Sequence, residues 1–104
     1  MQTKVLSVGG SIIAPSEPDT EFLSAFSRMV IDWLDTNPET RLILVAGGGG
    51  PARIYQGAFR KLEEKLRASG GKKLYDSDAD VNTAADWIGI MATRINAQLL
   101  KAAF

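Results

Sequence analysis

Residues 41–50 read RLILVAGGGG, a short run rich in branched apolar side chains that ends in four consecutive glycines. An earlier run, TKVLSV at residues 3–8, ends in a similar way at Gly9-Gly10-Ser11. Runs that are apolar on both sides are typical of parallel strands whose two faces are covered. The two runs therefore predict neighbouring parallel strands, each of which ends in a glycine turn.

The segment between the two strands carries its apolar residues at helical spacing. Asp19 or Thr20 would cap the start of this helix, and Asn37-Pro38 would end it. A strand, a helix and a second strand in this order predict a right-handed crossover between parallel strands. The apolar stripe consists of Phe22, Leu23, Phe26, Met29, Val30, Trp33 and Leu34.

A second helix is predicted directly after the glycines, because Pro51 suits a first helical turn, where its missing N–H costs nothing. Gly70-Gly71 would stop this helix. Its predicted buried stripe is Tyr55, Ala58, Phe59, Leu62 and Leu66, and its predicted solvent-facing charges are Lys61, Glu63, Glu64, Lys65 and Arg67.

The polar stretch KKLYDSDAD at residues 72–80 predicts a loop before a third helix. That helix would run from about Asn82 to the C-terminus, with Ser77 or Asp80 near its cap. Its apolar residues spread around more than one face, which predicts burial on several sides. We expect another subunit or a further domain to cover one of them.

Together these elements predict an α/β fold with three αβα layers around a parallel sheet. Two strands and three helices leave two open sheet edges and little core. We therefore interpret residues 1–104 as one half of a larger unit, which either associates with its missing other half or forms a homo-oligomer.

The composition of the 104 residues excludes several kinds of chemistry in this chain. There is no cysteine and no histidine, which excludes thiolate catalysis, zinc–sulfur sites and serine–histidine hydrolysis. Twelve basic residues balance twelve acidic ones, so no net field favours a nucleic acid polymer or an anionic membrane. The N-terminus is too short and too polar for a signal peptide, and no run approaches a membrane span. A cytoplasmic protein is expected.

The glycines at residues 47–50 predict a phosphate site. Ligands of open α/β sheets bind outside the carboxyl ends of the strands, and glycine lets the backbone approach an anion closely. The following helix offers free N–H groups and a favourable dipole, and Arg53 can add a guanidinium one turn later. A flexible turn is the alternative, but the position between a strand and a proline-started helix favours anion binding. Gly9-Gly10-Ser11 alone is explained almost as well by a tight turn.

The polar residues of the third helix leave two interpretations open. Asp86 is either a favourable acid near the helix start or a carboxylate that accepts hydrogen bonds from ribose hydroxyls. Thr93 and Asn96 are expected to satisfy neighbouring backbone or an interface rather than to touch a substrate. Trp87 is expected in the core or an interface, and Arg94 in solvent or between subunits.

Three motifs in this order resemble the amino acid kinase superfamily and, within it, the uridylate kinases. They are GGS after the first strand, AGGGGPAR at residues 46–53, and DWIGIMATRINAQLL at residues 86–100. The last fits a D-x-x-G-x-x-A-T-x-x-N pattern of uridylate kinases rather than of acetylglutamate or aspartate kinases. The resemblance covers essentially the whole chain but only the first half of a typical member. It implies an N-terminal half domain over residues 1–104 that binds a nucleoside monophosphate and lacks the ATP-binding C-terminal half.

The resemblance implies transfer of the γ-phosphate of ATP to UMP, which gives UDP for pyrimidine nucleotide biosynthesis. Mg²⁺ would lie on the nucleotide phosphates, with no metal ligand from the protein, and the assembly would be dimers arranged as hexamers. Contacts with UMP are implied for Gly48 and Asp86. Contacts with ATP or its phosphates are implied for Gly9, Gly10, Ser11, Gly49 and Arg53.

One departure from the family pattern keeps other functions open. Many members carry a lysine on the first strand at the position of Ser7, and Lys4 should point to the other sheet face. With the C-terminal half also missing, the chain alone is expected to be inactive. The alternatives are a non-catalytic member that binds nucleotides or oxyanions, and a kinase for another small acid or phosphate. Asp86 as a ribose ligand argues against the latter.

Overall fold

The computed structural model of the chain describes residues 1–70, 75 and 77–104. Within these residues the chain forms a two-stranded parallel sheet and four helices. Strand β1 (Gln2–Val8) pairs with strand β2 (Thr40–Ala46) along their whole lengths. The helices are α1 (Gly10–Ile13), α2 (Thr20–Thr36), α3 (Gly49–Ala68) and α4 (Asp78–Ala102). The predicted α/β class with a parallel sheet is confirmed.

Both ends of α2 lie where the sequence predicts them. Asp19 caps the start, because its Oδ1 accepts a hydrogen bond of 3.0 Å from the N–H of Phe22. Asn37 caps the end, and its side-chain amide donates to the carbonyl of Trp33 at 2.8 Å. The crossover helix is thus bounded by local hydrogen bonds that need no tertiary partner.

The core lies on the face of the sheet that α2 covers. Leu42, Leu44 and Ala46 of β2 pack against it from the sheet. The Nζ of Lys4 lies 5.9 Å from the ring centroid of Trp33 on α2, so Lys4 also points to this face, opposite Ser7, as strand alternation predicts. The buried members of the core are Val8, Ile13, Ala14, Leu23, Phe26, Val30 and Leu100.

The opposite face of the sheet is largely exposed. Val5, Ile43 and Val45 lie on it, and each has a large accessible fraction. The chain is also elongated, with a radius of gyration of 18.3 Å, whereas a compact domain of this length would have about 13 Å. The elongation arises because α3 packs mainly along α4 rather than on the sheet.

The predicted buried stripe of α3 is wrong. Tyr55 is 66% exposed, Leu62 and Ala58 are exposed, and Phe59 and Leu66 are half-buried. A helix buries its apolar stripe only where another surface covers it. Among the described residues α4 is the long partner of α3, and it covers a different strip of that helix.

Glu63, predicted to face water, is buried instead. Its carboxylate accepts a hydrogen bond from Nη2 of Arg67, one turn later, at 2.5 Å. This hydrogen bond, with the charge of Glu63, raises the pKa of Arg67 above its ordinary value. Burial of the carboxylate is tolerated because the charge is paired.

Helix α4 begins one turn earlier than predicted. Ser77 caps it, since its Oγ accepts a hydrogen bond of 3.2 Å from the N–H of Asp80. Gly71, predicted to stop the second helix, and residues 72–74 and 76 of the predicted loop lie outside the described residues. One face of α4 is buried, whereas Trp87, Met91 and Ile95 are exposed, so Trp87 is not a core residue.

Among the described residues, none of the helices combines the length and the hydropathy that a membrane span requires.

Ile13 and Ile12 provide a matched test of the core. Ile13 is 0% exposed, whereas its neighbour Ile12 is 56% exposed. We expect Ile13→Ala to lower the free energy of unfolding by about 2–5 kcal/mol, because it leaves a cavity in the core. Ile12→Ala should change it by about 0.5 kcal/mol or less. Urea unfolding followed by circular dichroism measures both, and similar losses would contradict this core assignment.

Candidate functional site

The two glycine turns pack backbone against backbone. A Cβ on Gly10 would lie 2.5 Å from both the carbonyl carbon of Gly47 and the nitrogen of Gly49. Gly49 has a φ of +59°, and a Cβ there would overlap the carbonyl of Gly10. Both positions therefore require glycine, one for space and the other for space and conformation.

The start of α3 offers fewer free donors than a helix N-terminus usually has. Gly50 already donates its N–H to the carbonyl of Ala14 at 2.9 Å, and Pro51 has no N–H. Ala52 donates to the carbonyl of Gly48 at 3.3 Å. Among residues 48–52, the N–H groups of Gly48 and Gly49 have no hydrogen-bond acceptor within the described ranges. The anion site predicted at this helix start therefore has two backbone N–H donors.

A cleft of about 620 Å³ opens between α3 and α4 beside these donors. It contains two guanidinium groups, one carboxylate and the backbones of three half-buried glycines, with Ile90 as the large apolar side chain of its lining. A site with this lining suits a small polar anion that carries further hydrogen-bonding groups. The lining residues are Gly48, Gly49, Ala52, Arg53, Gln56, Asp86, Gly89, Ile90, Thr93 and Arg94.

Gln56 joins the two helices that form the cleft. Its side-chain amide donates to the carbonyl of Ala85 on α4 at 2.9 Å. A Cβ on Gly89 would lie 2.6 Å from Nε2 of Gln56, so the absence of a side chain at Gly89 makes room for this contact. Farther along, Arg60 donates to Oδ1 of Asn82 at 3.2 Å. The part-buried bond of Gln56 holds the part of α4 that carries Asp86 against α3, whereas the Arg60–Asn82 pair is exposed to solvent.

The structure brings four of the seven predicted site residues together, since Gly48, Gly49, Arg53 and Asp86 all line the cleft. Ser11 adjoins it, because Nη1 and Nη2 of Arg53 donate to its Oγ at 3.3 and 3.4 Å. Ser11 belongs to α1, a short helix at the place where the sequence predicts a turn.

The other two predicted residues, Gly9 and Gly10, do not line the cleft. Gly10 instead packs against residues 47–49. A Cβ on Gly9 would meet only the side chain of Ile12, at ordinary contact distance. The structure therefore gives Gly10 a packing role and leaves Gly9 exposed.

Three polar residues of the cleft were not assigned to a site from the sequence. They are Gln56, Thr93 and Arg94. Helical spacing carried a signal for two of them, because Thr93 lies seven residues after Asp86 and Gln56 lies three residues after Arg53. Thr93 also donates its hydroxyl to the carbonyl of Gly89 at 3.0 Å.

Asn96 satisfies neighbouring backbone, as expected, and that backbone is the glycine turn itself. Its Nδ2 donates to the carbonyls of Gly47 and Gly48 at 2.9 and 3.0 Å. The residue is 2% exposed and does not line the cleft. It lies along a second, strongly apolar groove of about 630 Å³, to which Tyr55, Trp87 and Ile95 also contribute.

A sequence model of the amino acid kinase family matches residues 2–104, nearly the whole chain. The chain belongs to the amino acid kinase family. Family membership agrees with a parallel sheet whose strands end in paired glycine turns.

Similar proteins include several archaeal uridylate kinases. The uridylate kinase of Methanoregula boonei is 38% identical over 103 residues, which are 99% of this chain and 36% of that protein. The enzyme of Methanoculleus marisnigri is 35% identical over 98% of this chain and 35% of its own length. That of Pyrococcus abyssi is 32% identical over 95% of this chain and 36% of its own length. The chain thus spans about a third of the length of these relatives.

Two glycines of α3 test the backbone requirement of the site. We expect Gly49→Ala to lower the free energy of unfolding by more than about 1 kcal/mol, because φ is positive there and the Cβ would overlap Gly10. At Gly57 of the same helix an added Cβ meets nothing within 4 Å. Gly57→Ala should therefore raise the stability by about 0.5–1 kcal/mol. Urea unfolding of the two variants measures the contrast, and equal effects would contradict the described geometry.

Proposed function

We propose that this chain supplies the UMP- and phosphate-binding part of a uridylate kinase, which transfers the γ-phosphate of ATP to UMP. The observation that carries the proposal is the cleft, where two free backbone N–H groups, the guanidinium of Arg53 and the carboxylate of Asp86 meet. The archaeal relatives named uridylate kinase support it, because they match nearly the whole chain.

The donors and the acceptor of the cleft suit the two ends of a nucleotide. The N–H groups of Gly48 and Gly49, with Arg53, would hold the phosphate of UMP through charge-assisted hydrogen bonds. Asp86, which lies on the other helix, would accept hydrogen bonds from the ribose hydroxyls. The phosphates of ATP would approach Gly9 and Ser11, which are exposed beside the cleft.

The reaction requires little acid–base chemistry from the protein. An anionic phosphate oxygen of UMP would attack the γ-phosphorus of ATP, the bond from that phosphorus to the β,γ-bridging oxygen would break, and ADP would leave. Since the nucleophile is already ionised, the protein's tasks are alignment and charge stabilisation. A chain without histidine or cysteine can perform both.

Magnesium would be held by the nucleotide rather than by this chain. The described residues contain no cluster of three or more acidic, histidine or cysteine side chains that could bind a metal. The cleft offers two guanidinium groups and backbone N–H donors, which suit the phosphates and not a cation. When bound to those phosphates, Mg²⁺ would neutralise charge on the transferred group.

A second candidate, a non-catalytic nucleotide- or oxyanion-binding relative, is favoured by the position of Lys4. This side chain lies over Trp33 on the α2 face, away from the glycine turns, and Ser7 supplies no charge on the other face. The cations of the cleft are accordingly Arg53 and Arg94. Binding would then persist without turnover.

The uncovered apolar surfaces suit a larger assembly. The sheet face with Val5, Ile43 and Val45 and the apolar groove beside α4 both expose large side chains. We propose that they are covered by a second copy of the chain or by the C-terminal part that the relatives possess.

Removal of Arg53 tests the phosphate contact. We expect Arg53→Ala to weaken UMP binding to the chain about tenfold or more, because it removes charge-assisted hydrogen bonds. Arg60→Ala is the matched control, since Arg60 lies on the same helix but contacts Asn82 rather than the cleft. It should change the affinity by no more than about twofold. Calorimetric titration with UMP measures both, and equal losses would indicate only a general effect of charge.

Asp86 has a separate test on the ribose. Asp86→Ala should weaken the binding of UMP but leave that of 2′,3′-dideoxy-UMP unchanged. The analogue lacks the ribose hydroxyls from which the carboxylate would accept hydrogen bonds. An equal loss for both ligands would remove Asp86 from the ribose contact.

Turnover requires the rest of the enzyme. We expect a fusion of residues 1–104 to the C-terminal remainder of the Methanoregula boonei uridylate kinase to form ADP only when UMP is present, and to lose that activity with Arg53→Ala. ADP release can be followed with UMP, with CMP and with no acceptor. UMP binding without any turnover would favour the non-catalytic candidate.

A further inference from the structure

The side chain of Asn96 makes the most buried polar contact with the glycine turn. Its Nδ2 donates to two successive carbonyls, those of Gly47 and Gly48, and the residue is 2% exposed. Carbonyl oxygens only accept hydrogen bonds, so only the NH₂ end of the amide can face them. Asn96 therefore satisfies two turn carbonyls at once from the C-terminal third of α4.

These two bonds also constrain the direction of two N–H groups, in the case of Gly49 together with the bond from the N–H of Ala52 to the same Gly48 carbonyl. A trans peptide is planar, and its N–H points opposite to its C=O. No described peptide bond is cis. The carbonyl of Gly47 shares a peptide plane with the N–H of Gly48, and the carbonyl of Gly48 shares one with the N–H of Gly49. When Asn96 fixes both carbonyls on its own side, both N–H groups point away from it.

Gly48 and Gly49 line the cleft, whereas Asn96 lies along the apolar groove instead. The turn also lies tightly on α4, because a Cβ on Gly48 would be 3.0 Å from Oγ1 of Thr93 and 3.4 Å from the carbonyl oxygen of Gly89. Asn96 can thus act on a ligand in the cleft only through the turn.

We infer that Asn96 is a positioning residue for phosphate recognition. By holding the carbonyls of Gly47 and Gly48, it presents the N–H groups of Gly48 and Gly49 to a phosphate in the cleft. The inference rests on the proposed function in that the phosphate is that of UMP. Asn96 would act in the same way on any phosphate monoanion or dianion bound at these donors.

The test compares two substitutions with a matched control. Asn96→Asp keeps the shape but replaces the donor by a carboxylate, which would repel both carbonyls. Asn96→Ser retains a single, shorter donor and perturbs the core less. Asn82→Asp adds the same charge on the same helix, at an exposed position outside the cleft. The 104-residue chain is labelled with ¹⁵N and titrated with inorganic phosphate, with UMP and with uridine.

In the unsubstituted chain and in Asn82→Asp, the amide signals of Gly48 and Gly49 should shift with phosphate and with UMP. In both Asn96 variants these shifts should be lost, and the affinity for UMP and phosphate should fall about tenfold or more. The affinity for uridine should stay within about twofold, because its contacts do not pass through the turn. Unchanged amide signals elsewhere would show that the fold is kept.

Three results would overturn the inference. One is undiminished phosphate binding in folded Asn96 variants. Another is a parallel loss of uridine and UMP binding, or unfolding of both variants, which would indicate a general structural role. The third is the absence of any phosphate response at Gly48 and Gly49 in the unsubstituted chain. A phosphate response without preference for UMP would instead overturn the uridylate kinase proposal and support the role of Asn96.

Discussion

The close contact between the two glycine turns is the constraint on which the site depends. Gly10 lies against the backbone of Gly47 and Gly49, at a distance that leaves no room for a side chain. The contact is possible because β1 and β2 are adjacent and parallel, so their carboxyl ends lie at the same edge of the sheet. Since each turn limits the conformation of the other, the start of α3 is fixed by β1 as much as by β2.

A second contact between the two turns limits the number of backbone donors at the start of α3. The carbonyl of Ala14 accepts the N–H of Gly50, and Pro51 contributes none. Two backbone donors remain beside Arg53. A small number of fixed donors next to a guanidinium favours a ligand with matching geometry, because misaligned acceptors would lose hydrogen bonds in a partly enclosed cleft.

Helix α4 makes three different contributions to the cleft and the glycine turn, from three positions along its length. Asp86 faces the cleft, Gly89 makes room for Gln56, and Asn96 contacts the glycine turn. Farther along, Leu100 joins the core beneath the sheet. A single helix therefore connects the core, the turn and the cleft, whereas its outer face, with Trp87 and Ile95, is left exposed. Such an exposed apolar face fits a chain that spans about a third of its relatives' length.

The sequence by itself determined the strands, the long helices and the α/β class, because these depend on local periodicity and caps such as Asp19 and Ser77. It also indicated Arg53 and Asp86 as residues of interest, since charge next to a glycine turn and inside an apolar helix departs from a simple pattern. Tertiary structure alone decided that Tyr55 and Leu62 are exposed and Glu63 is buried, because burial depends on which surface packs against a helix. It also decided that Gly10 packs against the second turn and that Asn96 bonds to Gly47 and Gly48. The contact of Gly10 with Gly47 arises from the pairing of β1 with β2, and that of Asn96 with Gly47 from the packing of α4 on the turn. No local pattern in the chain encodes either contact.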